Sequence, residues 1–191
     1  IATTANAGIL LWSAAAAIAL GLSMQIGFIT HHVTLAQPLI GTEGAGFLVS
    51  AAGGSAFVGR LILARIVDGV AVRKLACLVM IAQSAALLSL AVWPTVPVLI
   101  GASLVYGYGI GHITTLGPII VRREFGAAAF GATYGAAASV IQLTTAFGPA
   151  LFGVLRDTFG DYRPGLAIAS AVTLAACLIL FSGGRLAAAR T

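Results

Sequence analysis

Arg60 places a guanidinium well inside a long apolar run. At the centre of a bilayer such a charge costs about 2.5–3.5 kcal/mol on insertion scales. It stands about 10 Å from the nearer end of its run, at 1.5 Å per helical residue. Gly53 and Ala56, seven and four residues earlier, share its helical face, which suits a cavity or a close helix contact. In a cavity the guanidinium can hold a carboxylate through two parallel hydrogen bonds. Its other use is structural: snorkelling to headgroups or pairing with a neighbour. His112 lies in the fourth apolar run, with Tyr108 one turn before it and Thr115 about one turn after. Imidazole changes charge near neutral pH, so His112 can couple proton movement to a solute. The plainer alternative is a neutral ring hydrogen-bonded inside a bundle. Gln142 shares a stripe with Gly135, Ala138 and Thr145, and Gln25 shares one with Phe28 and His32. Each stripe either lines an aqueous path or joins helices by hydrogen bonds.

Other chemistry is hard to assemble from these residues. His31 and His32 are adjacent, so on a helix they point about 100° apart, and no Cys, Asp or Glu completes a metal set. No metal and no cofactor is expected. There is no phosphate-binding loop ending in Lys-Ser/Thr, no HExxH and no GxSxG. The acidic residues are Glu43, Asp68, Glu124, Asp157 and Asp161, nearly all at run edges or in connections. An enzyme is therefore not expected. Cys77 and Cys177 fall in separate apolar runs and read as two unpaired small hydrophobic residues.

The elements that hold these residues are apolar. The chain of 191 residues is 60% hydrophobic and 8% charged, against about 25% charged in an ordinary soluble domain. So few charges cannot solvate a surface in water, and lipid is the natural outer solvent. The net charge of +5 sits in short clusters between apolar runs, which argues for membrane orientation and against nucleic acid. Six runs reach the roughly 20 residues needed to cross a bilayer, over about 8–33, 44–67, 75–92, 96–121, 127–155 and 164–182. The first run is too long for a signal-peptide core and reads as a span. Because the chain begins at Ile1, it is expected to be a piece of a longer reading frame.

Turn residues fall between the runs: Pro38 and Gly41, Asp68 and Gly69, Trp93-Pro94-Thr95, Arg122-Arg123-Glu124, and the segment 156–163. Pro164 can open the last helix without wasting an N–H. With the amino terminus inside, Arg65, Arg73, Lys74, Arg122, Arg123, Arg185 and Arg190 face the cytoplasm, and only Arg156 and Arg163 face away. Seven against two predicts both termini cytoplasmic, in a multi-pass protein of the inner or plasma membrane. Asp157 and Asp161 are placed to pair with the two exceptions. Gly107 and Gly111, and Gly131 and Gly135, have the GxxxG spacing that lets helices pack closely.

Two stretches resemble a known family. Gly59-Arg60-Leu61, then Asp68, then Arg73-Lys74 resemble the loop motif GRLxxGxxxDRxGRRK of the major facilitator superfamily, with Ala64, Gly69 and Ala71 departing from it. The second stretch carries Arg123-Glu124-Phe125-Gly126, Phe130-Gly131, Tyr134-Gly135, Gly148-Pro149, Gly153, Asp157, Gly160 and Tyr162. It is similar to helices ten to twelve of bacterial monocarboxylate and oxalate–formate type members. The resemblance implies an all-α membrane protein, a six-transmembrane-helix bundle forming one half of a major facilitator fold. It implies alternating access around a midplane cavity, with the amino-terminal six-helix half as the missing partner. It implies a small solute, an organic anion moved with protons being the specific expectation. Arg60 matches the substrate-binding arginine of helix eight, while Ala56 stands where an acidic residue can occur and the fifth run has no lysine. Tyr108, His112, Gln142 and Gln25 are expected to line the cavity, and Gly59, Asp68, Arg73 and Lys74 to form the cytoplasmic gate. The rival expectation is a six-helix membrane scaffold or assembly subunit that transports nothing.

Overall fold

A computed structural model describes residues 6–188; Arg190, one of the orientation charges, lies outside them. The described chain is almost wholly helical, with no strand among the described residues. There are four helical elements: α1 (Ala7–Ile66), α2 (Val72–Val92), α3 (Val96–Phe159) and α4 (Arg163–Ala188), with a short 3-10 turn at Val67–Gly69. All four are long and apolar enough to cross a membrane. Four continuous elements stand where six separate runs were expected, because two of the anticipated connections are single glycines. Gly41 (φ 73°, ψ 172°) interrupts α1, and Gly126 (φ 78°, ψ 167°) interrupts α3. Both have a positive φ that side-chain-bearing residues rarely adopt. Helix continues up to each glycine and resumes directly after it, so the arms outrun the apolar runs and their polar ends keep helical hydrogen bonds.

The contacts give the direction of each arm. Ile18 meets Gly117, Phe28 meets Tyr106 and His32 meets Ser103, so arm 7–40 runs opposite to arm 96–125. Ala52 abuts Gly107 and Ala56 abuts Gly111, so arm 42–66 runs along arm 96–125. The chain therefore turns back on itself at Gly41. In the same way Ser23 bonds Thr144, and Gly27 packs on Phe152, so arm 127–159 runs along arm 7–40. The chain turns back again at Gly126. Tight hairpins follow at Trp93-Pro94-Thr95 and after Gly160, whose left-handed φ of 71° ends α3.

α2 and α4 pack antiparallel with a seven-residue step. Cys77 faces Cys177, Ser84 faces Ser170, and the Ala91 carbonyl accepts from Arg163 Nε at 2.8 Å. A repeat of seven keeps one narrow seam in register between two helices. Arg163 thus caps the end of α2, donating also to the Val92 carbonyl at 3.4 Å. Its expected side-chain pairing with Asp161 is replaced: that carboxylate accepts from the Arg163 backbone N–H at 3.1 Å. Free helix-end carbonyls draw the guanidinium because their partial charge is otherwise unpaired. Arg156 does pair with Asp157, at 3.3 Å.

The interior holds two apolar clusters stacked along the bundle. One gathers Ala14, Ile18, Leu63, Met80, Ile120 and Leu180; the other gathers Phe28, Leu48, Leu87, Leu99, Tyr106 and Phe152. Outside, large apolar side chains stand bare, including Phe47 at 70%, Leu143 at 68% and Phe147 at 64% exposure. Such a surface is stable only where the surroundings are themselves apolar or another chain covers it.

Candidate functional site

Between the two apolar clusters lies a polar layer to which every arm contributes. Gln25 comes from arm 7–40, Gly59 and Arg60 from arm 42–66, and Gln83 and Ser84 from α2. His112 comes from arm 96–125, Thr144 from arm 127–159, and Ser170 and Thr173 from α4. Polar groups at this depth need partners inside the bundle.

Gly59, Tyr108 and His112 meet directly. A methyl group on Gly59 would lie 2.6 Å from the Tyr108 carbonyl oxygen and 3.2 Å from His112 Nδ1. Only glycine admits that approach. Gly59 thus sits in the contact between arms 42–66 and 96–125. His112 is 1% exposed, and its Nδ1 lies 3.0 Å from the Tyr108 carbonyl. A carbonyl only accepts, so Nδ1 is the donor in this contact. The Tyr108 and His112 rings sit 4.6 Å apart. Both line a cavity of about 240 Å³ that Val79, Ala82 and Val105 complete with apolar wall. Thr115 spends its hydroxyl on the Gly111 carbonyl of its own helix.

Arg60 is exposed at the same level, next to Gly111, whose Cβ position lies 3.1 Å from the Arg60 backbone nitrogen. Among the described residues its guanidinium has no hydrogen-bond or ion-pair partner. Arg73, Arg123, Arg156 and Arg163, by contrast, all donate to named acceptors.

Gln25 and Gln142 go to different places. Gln25 is 1% exposed and donates to Gln83 Oε1 at 3.0 Å, and Gln83 donates on to the Tyr106 carbonyl at 3.2 Å. This chain of amides joins three helices. Gln142 is exposed and lines a separate cavity of about 420 Å³ with Tyr134, Thr114 and Leu22. The stripe of Gln25 is buried throughout, with His32 Nε2 2.8 Å from Ser103 Oγ. Gln83, Ser84 and Ser170 escaped the sequence reading. Gln83-Ser84 is a polar pair at the middle of an apolar run, which is the signal that marks them.

The Tyr106 hydroxyl and Gln25 Oε1 are buried without a partner among the described residues. An unsatisfied buried hydroxyl is unfavourable. Tyr106→Phe is therefore expected to leave stability unchanged or raise it by about 1 kcal/mol. Thermal unfolding of the solubilised protein checks this, and a marked loss would show that the hydroxyl has a partner.

At the charged end Asp68 pairs with Arg123 at 3.2 Å. Arg123 also donates to the carbonyls of Val67 and Val70, which hold the 3-10 turn in place. Arg73 instead grips Glu124 with two bonds, of 2.6 and 3.0 Å. It donates further to the carbonyls of Leu10 and Leu180 and to Ser13 Oγ. Arg73 stands at the first turn of α2, turned inward, where Glu124 and the carbonyls of Leu10 and Leu180 converge; Asp68 stays outside with its side chain 99% exposed. Lys74, one residue on, is exposed. In comparisons with known proteins, no family model matches the chain, and no curated protein matches it.

Proposed function

We propose that this chain is the carboxy-terminal six-span half of a secondary transporter of the major facilitator type, moving a small organic anion with protons by alternating access. Arg60 carries the proposal. Its guanidinium has no hydrogen-bond or ion-pair partner among the described residues, and it directly follows Gly59, which packs against Tyr108 and His112. A lone cation within an apolar span is costly unless an anion visits it. Six arms alternating in direction, with the polar layer halfway along, suit a carrier whose site sits at the bilayer midplane. The reading places both termini in the cytoplasm and the chain in the inner or plasma membrane.

In this scheme Arg60 binds the carboxylate and His112 accepts a proton at Nε2. Tyr108 and Gln142 line the path, while Gln25 braces the layer through Gln83. Arg73 holds this half rigid, since all its partners lie within the half, and the exposed Asp68 and Lys74 face the gate. The open faces of Gly131 and Gly135, where an added Cβ meets nothing within 4 Å, are left for the amino-terminal half.

The test is uptake of labelled monocarboxylates into proteoliposomes holding the complete transporter. Arg60→Ala is expected to cut saturable uptake at least tenfold, the loss of about 1.4 kcal/mol or more of differential binding. Arg60→Lys keeps the charge but not the two-pronged geometry, and should recover only part. Unchanged uptake in Arg60→Ala would overturn the anion assignment. His112→Gln should abolish stimulation by an inward proton gradient while leaving the folded protein intact.

A further inference from the structure

The chain has two cysteines, one hundred residues apart, and the fold brings them face to face. Cys77 Sγ lies 3.6 Å from the Cys177 carbonyl, and Cys177 Sγ lies 3.6 Å from the Cys77 carbonyl. That reciprocity means each side chain leans towards the other's backbone, so the two sulfurs converge. One heptad along the same seam, Ser84 and Ser170 occupy the equivalent positions and their hydroxyls are 2.8 Å apart. Serine and cysteine both place one heavy atom on Cβ, so the seam at this spacing brings paired side-chain tips into contact. The register is held on both sides: by Ser84 and Ser170 in one direction, and by Arg73 donating to the Leu180 carbonyl in the other. Both cysteines also line an open groove of about 370 Å³, with Lys74 at its edge.

We propose that Cys77 and Cys177 form a redox-active dithiol that a peroxide closes into an intramolecular disulfide, stapling α2 to α4. A sulfur of one thiol attacks the peroxide, the O–O bond breaks, and a sulfenic acid and one water result. The second sulfur then attacks the sulfenic sulfur; the S–O bond breaks, and hydroxide leaves with the thiol proton as a second water. Two thiols are oxidised, and one hydrogen peroxide is reduced to two waters. Hydrogen peroxide is small and uncharged enough to enter an apolar groove. Both cysteines lie in the same bundle, so the inference stands whether or not the chain transports anything.

The test treats the reduced, detergent-solubilised chain with hydrogen peroxide, then denatures it, labels it with a maleimide and maps the peptides by mass spectrometry. The expected result is a fall of roughly tenfold in maleimide-reactive thiol. A cross-linked peptide pair lighter by two hydrogens should appear with it, and dithiothreitol should reverse both. Cys77→Ser and Cys177→Ser should each abolish that cross-link. Copper–phenanthroline should produce the same product by a different oxidant. The proposal is overturned if both thiols stay reactive under both oxidants. It is equally overturned if each sulfur gains oxygen without cross-linking, or if the cross-link forms only in chain unfolded beforehand.

Discussion

Gly111→Leu is expected to lower the stability of the bundle by about 3 kcal/mol or more, at the upper end of the usual cost of overpacking. The carbonyl of Ala56 lies against the position that a Cβ would take, with the Ala56 carbonyl carbon at 3.0 Å. The obstacle is backbone, so no rotamer change relieves it; arms 42–66 and 96–125 must separate along their length. Gly107, one turn earlier, abuts Ala52 in the same way, so the two glycines act as one contact. For a chain of this length the expected fall in midpoint temperature is roughly 6–12 °C. The same change at Gly131 or Gly135 meets nothing within 4 Å and should cost less than about 0.5 kcal/mol in the isolated chain. Temperature-dependent loss of the monodisperse peak in size-exclusion chromatography separates the two cases. Equal behaviour of Gly111→Leu and Gly131→Leu would show that arms 42–66 and 96–125 do not pack as described.

Arg73→Ala should be as damaging for an electrostatic reason. The Arg73 side chain is 14% exposed and that of Glu124 18%, so removing the guanidinium leaves a largely desolvated carboxylate alone. Breaking one side of a buried pair typically costs about 3–5 kcal/mol. The carbonyls of Leu10 and Leu180 lose a donor at the same time. Arg73→Lys keeps a positive charge near Glu124 but lacks the planar fork that reaches five acceptor atoms on four residues, so an intermediate loss is expected. Arg73→Ala combined with Glu124→Gln should recover part of the stability, because the unpaired charge is gone. Thermal unfolding of the four proteins in one detergent measures the series. If Arg73→Ala and Arg73→Lys are equally stable as the parent, the inward-facing hub does not exist. The exposed Asp68–Arg123 pair gives a contrast: Asp68→Asn should change stability little, since such surface pairs are weak.

The long apolar runs, their approximate ends and the residues at their breaks are legible along the chain. Hydropathy and turn chemistry are local properties, summed over neighbours that any sequence displays. The polar residues at mid-run are also visible there, because lipid makes each of them costly wherever the helix faces. Arg60, His112, Gln25 and Gln142 could therefore be marked before any fold was known. Partner choice was different. It depends on the rotation and register of helices that are far apart in sequence, and a shift of one residue turns a side chain by about 100°. Only the tertiary structure sends Arg73 to Glu124 and Asp68 to Arg123. It alone separates Gly107 and Gly111, pressed against carbonyls, from Gly131 and Gly135, which share the spacing but touch nothing. It also turns two isolated cysteines into a facing pair, because antiparallel packing in a seven-residue step aligns positions that no local pattern relates.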